Sequence, residues 1–267
     1  MLELIPVWEK SKQGRHDWIV RCGGQMGVRM KRLGVLGGLG PMATAYFLQL
    51  LIQMSDAKTD QEHIEVILHS KPQIPDRTRF ILGQSTESPV PQMAEVGRKL
   101  VCQGAELIAI PCITAHFFQR RLEEEIGIPI LNAVTETAVY LQKTGITKAG
   151  IMATDGTIES RLFQKFFGEY GIDCIVPDEE EQRKVMHLIY ENVKAGKPME
   201  LPLFDAVAEG LRENGAEVTL LACTELSLVK RDYSLEAGFL DVMEVLARKA
   251  VLSCGILKKE YEYLITE

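Results

Sequence analysis

The sequence has no long apolar run: no uninterrupted stretch approaches the roughly 20 residues that a membrane-spanning helix requires. It also has no excess of basic residues, because 30 Lys and Arg stand against 37 Asp and Glu, which gives a net charge of −7. Proteins that bind nucleic acid usually carry a basic patch or stripe. We therefore expect neither a membrane nor a nucleic acid as a partner.

Cysteine is also scarce, with 6 in 267 residues and no secretory signal ahead of them. This number is too small for a disulfide scaffold, and the CxxC pairs of zinc sites and thioredoxin-type redox sites are absent. The sequence predicts a cytoplasmic protein with reduced thiols and no bound metal.

The first 29 residues lack sustained hydrophobic periodicity, and the first convincing strand begins after Met30. We predict that residues 1–29 form a poorly ordered extension or result from an upstream start. A targeting peptide fits less well, because Glu3, Glu9 and Asp17 lie among the basic residues.

From Arg32 onward, short aliphatic runs alternate with longer helical patterns, which is typical of βαβ units and a parallel sheet. The sequence is 46% hydrophobic, enough for a sizeable core. Strands are predicted at 33–36, 64–68, 107–110, 128–131, 149–153, 173–176, 218–221 and 238–240. Helices are predicted between Ser88-Pro89 and Gln103-Gly104 and at 157–170, 177–194, 203–214 and 241–254.

The chain also contains an internal echo. Thr44 and Thr154 each follow a strand, and nearly the same spacing separates them as separates Cys112 from Cys223. We interpret this as a duplicated unit with rough two-fold symmetry, which would bring the four residues to one cleft. The predicted fold is α/β, with a first lobe formed by 30–131 plus 238–267 and a second lobe formed by 132–237.

Cys112 and Cys223 each lie at the end of an aliphatic run and are followed closely by a threonine. In parallel sheets, ligands bind at the carboxyl ends of the strands, so two such thiols on facing lobes suggest proton transfer to one small substrate. A helix N-terminus would help to activate them. The alternative is that both are inert core residues, as many cysteines are.

Four further features could belong to the same site. The glycine-rich turn at 37–44 lacks the third glycine of a dinucleotide fingerprint and the Gly-Lys-Ser/Thr of a P-loop, so it predicts a small carboxylate or a ligand-free turn. Arg77 could grip a carboxylate bidentately. His116 and Glu225 follow the two cysteines closely enough to position or protonate a nearby group, although a buried structural histidine is an equal alternative.

Five ordered motifs resemble the aspartate/glutamate racemase family, and most closely its aspartate racemase branch. They are Gly37-Gly38-Leu39-Gly40-Pro41-Met42-Ala43-Thr44, Pro75-Asp76-Arg77-Thr78, Pro111-Cys112-Ile113-Thr114-Ala115-His116, Cys223-Thr224-Glu225 and the closing helix from Asp241. The resemblance implies two similar lobes with the active site between them, often in a homodimer. It also implies chemistry without pyridoxal phosphate, metal or nucleotide.

The implied reaction inverts the α-carbon of an amino acid, with one cysteine removing the α-proton and the other donating a proton to the opposite face. Substrate-binding roles are implied for Thr44, Arg77, Ile113, Thr114, Thr154, Lys184 and Thr224, with support from Met42, His116 and Glu225. Ile113 departs from the family, which usually has asparagine there. Isoleucine cannot make the hydrogen bonds of asparagine, so substrate preference could be broader.

The sequence thus predicts a cofactor-independent racemase of aspartate or a related acidic amino acid. Related two-cysteine enzymes that act on glutamate, hydantoins or maleate are the first alternative. A non-catalytic protein that binds an acidic amino acid is the second.

Overall fold

The computed structural model describes residues 30–267 and, ahead of them, only the backbone of two short strands. These strands, β1 (Ile19–Cys22) and β2 (Gln25–Val28), pair antiparallel as a hairpin. The sequence did not predict this hairpin. The remainder of the predicted extension at 1–29 lies outside the described residues.

The first lobe is built on a parallel sheet of three strands in the order β4-β3-β5. Its strands are β3 (Leu33–Gly37), β4 (Val66–Ser70) and β5 (Leu107–Ala109). The strand predicted at 128–131 is reduced to one bridge between Ile108 and Ile130. Pro129 has no N–H to donate to a ladder, which limits pairing there.

Helices follow the strands of this lobe. They are α1 (Pro41–Met54), α2 (Arg77–Ile81), α3 (Val90–Cys102), a 3-10 helix (Ile113–Phe118) and α4 (Gln119–Ile126). The start of α3 after Ser88-Pro89 and its end before Gly104 confirm the prediction, and Gly104 takes a φ of 100° that favours glycine.

The second lobe contains a parallel sheet of four strands in the order β7-β6-β8-β9. Its strands are β6 (Lys148–Met152), β7 (Asp173–Ile175), β8 (Val218–Leu221) and β9 (Phe239–Asp241). Its helices are α6 (Asp155–Glu159), α7 (Leu162–Phe167), α8 (Glu179–His187), α9 (Leu201–Glu213) and α10 (Thr224–Asp232).

Two predicted helices of this lobe are interrupted. The helix predicted at 157–170 divides into α6 and α7 because Arg161 adopts the left-handed conformation with a φ of 53°. The helix predicted at 177–194 changes after α8 into a wider π-helix (Leu188–Val193). Such wide turns are frequent at functional sites.

The two sheets confirm the predicted duplication, because the order β4-β3-β5 plus the bridge at Ile130 repeats the order β7-β6-β8-β9. A helix follows the last strand position of each lobe: α5 (Ala133–Thr144) in the first repeat and α11 (Val242–Cys254) in the second. The side chains of Asn132 and Asp241 cap their N-termini. The α5 helix packs on α7, whereas α11 packs on α1 and on α5. In the segment 238–267, the strand β9 therefore pairs with β8, and the helix α11 packs against α1 and α5.

A central apolar core joins the lobes and contains Phe47 from α1, Phe163 from α7 and Leu246 from α11. Smaller cores lie under α3 and α4 and under α8 and α9. Because all strands within each sheet are parallel, their carboxyl ends meet at one edge per lobe. In the part of the chain that the structure describes, no helix has the length and apolar character to cross a membrane.

Candidate active site

The duplicated fold places the two cysteines at equivalent positions. Cys112 follows β5 and forms the N-cap of the 3-10 helix, and Cys223 follows β8 and forms the N-cap of α10. Both side chains are 6% exposed, and both line one cavity of about 10 Å³, which has room for roughly one water molecule. The structure thus brings the two predicted thiols together.

Residues from both lobes complete the lining of this cavity. They are Leu39, Asp76, Arg77, Thr78, Ile113, Thr114, Thr154, Tyr190, Lys194, Thr224 and Glu225. The sequence singled out six of these as substrate-binding or supporting residues: Arg77, Ile113, Thr114, Thr154, Thr224 and Glu225. Leu39, Asp76, Thr78, Tyr190 and Lys194 were not predicted as site residues.

Cys112 has a cation beside it. Arg77 is held in place because Nη1 donates to the carbonyls of Ile74 and Pro75, at 3.3 and 3.1 Å, and Nη2 donates to the carbonyl of Leu39 at 3.3 Å. Its buried Nε has no hydrogen-bond partner among the described residues. Burial works against the charged guanidinium, but Cys112 and Asp76 outweigh it and raise the pKa of Arg77. Arg77 is therefore a fixed positive charge beside Cys112.

Cys223 has a carboxylate beside it instead. Its Sγ donates to Oε2 of Glu225 at 2.9 Å, and Glu225 is only 6% exposed. Burial and the nearby Glu225 carboxylate raise the pKa of Cys223 well above its usual value, and Lys194 offsets this only in part. The helix N-terminus therefore does not make this thiol acidic, and Cys223 is held as the protonated thiol.

Tyr190 and Lys194 reach the cavity from the π-helix and the residue that follows it. The Lys194 Nζ lies 3.9 Å from the centroid of the Tyr190 ring, in a cation–π contact. Partial burial works to lower the pKa of Lys194, but Glu225 together with Cys223, Tyr190 and Asp76 outweighs it and raises the pKa. Lys194 therefore carries a positive charge at the rim of the cavity.

Lys184, which the sequence proposed for substrate binding, lies elsewhere. It forms an ion pair with Glu180, at 3.0 Å and one helical turn away, and does not line the cavity. The widening of the helix after Leu188 carries Lys194 to the site instead. The sequence contains no signal for that change of helical pitch.

Four buried threonine hydroxyls form a cluster at the cavity and join Thr78 and Thr114 of the first lobe to Thr154 and Thr157 of the second. Their four hydrogen bonds measure 3.2 Å (78–154), 3.0 Å (114–154), 3.0 Å (114–157) and 3.3 Å (154–157). Three of these hydrogen bonds connect the two lobes next to the cavity.

Thr44 and His116 do not line the cavity. The Thr44 hydroxyl accepts from the Gly38 amide and donates to the Gly40 carbonyl, both at 2.9 Å, so it shapes the glycine turn. The His116 ring is 3% exposed and contacts Oε1 of Gln119 at 3.0 Å, and burial lowers its pKa. Both residues support the shape of the site from outside the lining.

A larger cleft, the vestibule, opens from the cavity and has a volume of about 410 Å³. It shares Leu39, Asp76, Arg77, Lys194 and Glu225 with the cavity. Its other lining residues are Gly38, Gly40, Pro41, Met42, Ala43, Pro72, Ile74, Val193 and Leu228. Met42, predicted as a supporting residue, belongs to this vestibule.

The glycine turn lines the vestibule because two of its residues lack a side chain. Gly38 has a φ of 92°, and a Cβ there would lie 2.5 Å from the amide nitrogen of Lys71. A Cβ on Gly40 would lie 2.9 Å from Oε1 of Glu225. The turn can therefore approach both the neighbouring loop and the carboxylate beside Cys223.

The five cysteines within the described range are free thiols. In the same range, no three side chains of His, Cys, Asp or Glu come together in a group that could hold a metal ion.

Comparison with known proteins identifies the scaffold. Residues 36–250 match the model of the family described as Asp/Glu/hydantoin racemase. The broad specificity amino-acid racemase RacX of Bacillus subtilis is 25% identical over 227 residues, which cover 82% of this chain and 96% of that protein.

Solved structures show the same similarity. The aspartate racemase of Picrophilus torridus superposes with a TM-score of 0.74 at 31% identity, covering 86% of this chain and 97% of that one. The glutamate racemase of Francisella tularensis, solved with D-glutamate, has a TM-score of 0.60 at 16% identity, covering 84% and 80%. This second likeness concerns the fold alone.

Proposed function

Because the chain belongs to the Asp/Glu/hydantoin racemase family, we propose that it interconverts the enantiomers of an amino acid by proton transfer between Cys112 and Cys223. One observation carries the proposal: two buried thiols, from equivalent positions of two lobes, line one cavity but have opposite electrostatic neighbours. Such a pair supplies one base and one acid.

The two neighbours assign the roles. Cys112 lies beside the Arg77 cation, and we assign it the role of the base, whereas the bond to Glu225 keeps Cys223 protonated and assigns it the role of the acid. The Cys112 thiolate removes the α-proton of the bound enantiomer, and Cys223 donates its proton to the opposite face of the carbanion. The reaction leaves Cys112 as thiol and Cys223 as thiolate. In the reverse direction, the Cys223 thiolate removes the α-proton of the opposite enantiomer and Cys112 donates its proton, which restores the starting protonation states.

An α-proton next to a carboxylate is only weakly acidic, so the site has to stabilise the negative charge that develops during its removal. In this proposal the Arg77 Nε–H donates to the α-carboxylate, and Lys194 adds a second positive charge at the rim. Both thiols lie at helix N-termini, whose amides favour negative charge. The cavity has to widen to admit an amino acid, after which the surrounding side chains exclude water.

Aspartate is the substrate that the motifs and the similarity to the Picrophilus enzyme favour. Glutamate, hydantoins and maleate are the substrates of the alternative reactions. The proposal also includes catalysis without pyridoxal phosphate, a homodimer and a cytoplasmic location. Light scattering after size-exclusion chromatography tests the dimer, and cell fractionation tests the location.

The deciding experiment incubates the purified protein with L-aspartate in D2O and follows both D-aspartate and α-deuterium. We expect both to form, and to be unaffected by hydroxylamine, which removes pyridoxal phosphate. The Cys112→Ala/Cys223→Ala double variant should form neither. Equal activity of the double variant would refute the cysteine mechanism. Binding of amino acids without exchange or inversion across a wider panel would instead favour a non-catalytic binding protein.

A further inference from the structure

We propose that Asn192 is a positioning residue of this enzyme: it fastens the π-helix (Leu188–Val193) to the loop that follows and so brings Lys194 to the site. The inference rests on the proposed function and adds to it a residue that lines neither the cavity nor the vestibule.

Lys194 depends on the π-helix for its place in the lining of both the cavity and the vestibule. Its N–H donates at 2.9 Å to the carbonyl of Ile189, which lies one position further back than the partner in an α-helix. One extra residue in a turn rotates the side chains after it by about 100° around the axis, the angle between successive residues of an α-helix. A π-helix is a rare conformation, so contacts from outside are needed to stabilise it.

Asn192 makes these contacts. It is 4% exposed, and its Nδ2 donates to the carbonyl of Pro198 at 3.2 Å and to Oε1 of Glu200 at 3.0 Å. Its own carbonyl accepts from the Lys197 amide at 2.9 Å. This one residue of the π-helix is therefore joined to three residues of the loop and of the helix start that follows it.

The residue type at this position indicates that its donors matter more than its packing. The Oδ1 of Asn192 is buried and has no hydrogen-bond partner among the described residues. An unpaired buried polar atom costs free energy, and an apolar side chain of similar size would avoid that cost. Asparagine differs from such a side chain by the two hydrogen bonds that its Nδ2 donates.

Glu200 closes the same segment from the other side. It is the N-cap residue of α9, and its Oε1 lies 2.9 Å from Nε2 of His187, the last residue of α8. The contacts with His187 and Asn192 lower the pKa of Glu200, so its carboxylate is ionised at neutral pH. Because the pair with His187 is exposed to solvent, it contributes less than the buried amide of Asn192.

The test measures kcat and KM for L-aspartate in Asn192→Leu, which keeps the size of the side chain and removes both donors. We expect KM to rise by about five- to tenfold and kcat to stay within about twofold, because only the fraction of enzyme with Lys194 in place binds substrate well. A loss of folded protein would lower kcat and leave KM unchanged. An unchanged KM would overturn the inference.

A second pair of variants shows whether Asn192 acts through Lys194. In a Lys194→Met background, adding Asn192→Leu should change KM by less than about twofold, because the side chain that it positions is already gone. The same rise in KM in both backgrounds would contradict the positioning role. Glu179→Ala is the control: it removes an exposed ion pair with Arg183 within α8, at 2.8 Å, and should leave KM unchanged.

Glu200 tests the same contacts from the exposed side, where its side chain makes no capping hydrogen bond. Glu200→Ala removes one acceptor of the Asn192 amide and should raise KM by about two- to threefold. Glu200→Gln keeps the oxygen and should restore most of the affinity. A KM in Glu200→Ala equal to that of wild type would count against the inference.

Hydrogen exchange followed by mass spectrometry gives a readout that does not need activity. In Asn192→Leu, peptides that contain the amides of Lys194 and Lys197 should exchange about tenfold faster than in wild type and in Glu179→Ala, because both amides donate within this segment. Equal exchange would overturn this inference whether or not the protein is active. A wild-type protein that neither inverts amino acids nor exchanges their α-protons would instead overturn the proposed function.

Discussion

The two halves of the site share a backbone plan but differ in their electrostatics. Each cysteine follows the third strand of its lobe and caps a helix. Cys112 then meets the Arg77 guanidinium, whereas Cys223 donates to the Glu225 carboxylate. A duplicated scaffold thus provides equivalent positions, and a few side chains give them neighbours of opposite charge.

Removal of either thiol should have the largest effect. We expect Cys112→Ala and Cys223→Ala each to lower racemisation by about 10³-fold or more, since each removes a general acid or base. Cys223→Ala should still exchange the α-proton of the one enantiomer that faces Cys112, without inversion, and Cys112→Ala should favour the other enantiomer. NMR in D2O with each pure enantiomer measures this. Exchange of the α-proton of both enantiomers by one single variant would contradict the proposal that the two thiols act on opposite faces of the α-carbon.

Lys194 tests the cation on the Cys223 side of the site. Lys194→Met should lower kcat/KM by about 10- to 100-fold, the usual cost of a lost charged hydrogen bond. Lys184→Met is the control ten positions earlier, and its ion pair with Glu180 lies outside the lining. We expect it to stay close to wild type in steady-state assays. Equal losses of kcat/KM in the two variants would contradict the assignment of Lys194, and not Lys184, to the site.

Glu225→Gln tests the proton held on Cys223. The enzyme form with one thiolate is active, so the alkaline limb of kcat/KM reports loss of the second thiol proton. Since Glu225 raises the pKa of Cys223, the glutamine variant should move that limb to lower pH and leave the acid limb nearly unchanged. Glu213→Gln, on an exposed part of α9, is the control. If the alkaline limb of Glu225→Gln lies at the same pH as that of wild type, the Glu225 carboxylate does not raise the pKa of Cys223.

The threonine cluster should give the smallest change, and mainly in stability. Thr157→Val removes a hydroxyl that does not line the cavity and leaves its partners short of a bond. We expect the free energy of unfolding to fall by about 1–2 kcal/mol, as measured by urea denaturation. Thr157→Ser keeps the hydroxyl and should restore most of the loss. Equal stability of the valine variant and wild type would show that these bonds do not hold the lobes together.

Several parts of this architecture could be predicted from local sequence. The aliphatic runs before Cys112 and Cys223 are buried strands, and the Ser88-Pro89 start and Gly104 stop bracket a helix. These signals come from neighbouring residues, because burial, capping and glycine conformations act over a few positions. The helix break at Arg161 and the π-helix that begins at Leu188 were not predicted, because nothing in their local sequence disfavours a continuous helix.

The sequence by itself determined the duplicated α/β plan and two strand-end cysteines, each followed closely by a threonine. Tertiary structure alone decided which lysine reaches the site, that the threonine hydroxyls bond to one another, and that Cys112 and Cys223 have neighbours of opposite charge. The physical reason is the distance along the chain over which each kind of interaction acts. Strand and helix patterns depend on neighbours along the chain, whereas ion pairs, desolvation and proton sharing depend on side chains that only the closed lobes bring within a few ångströms.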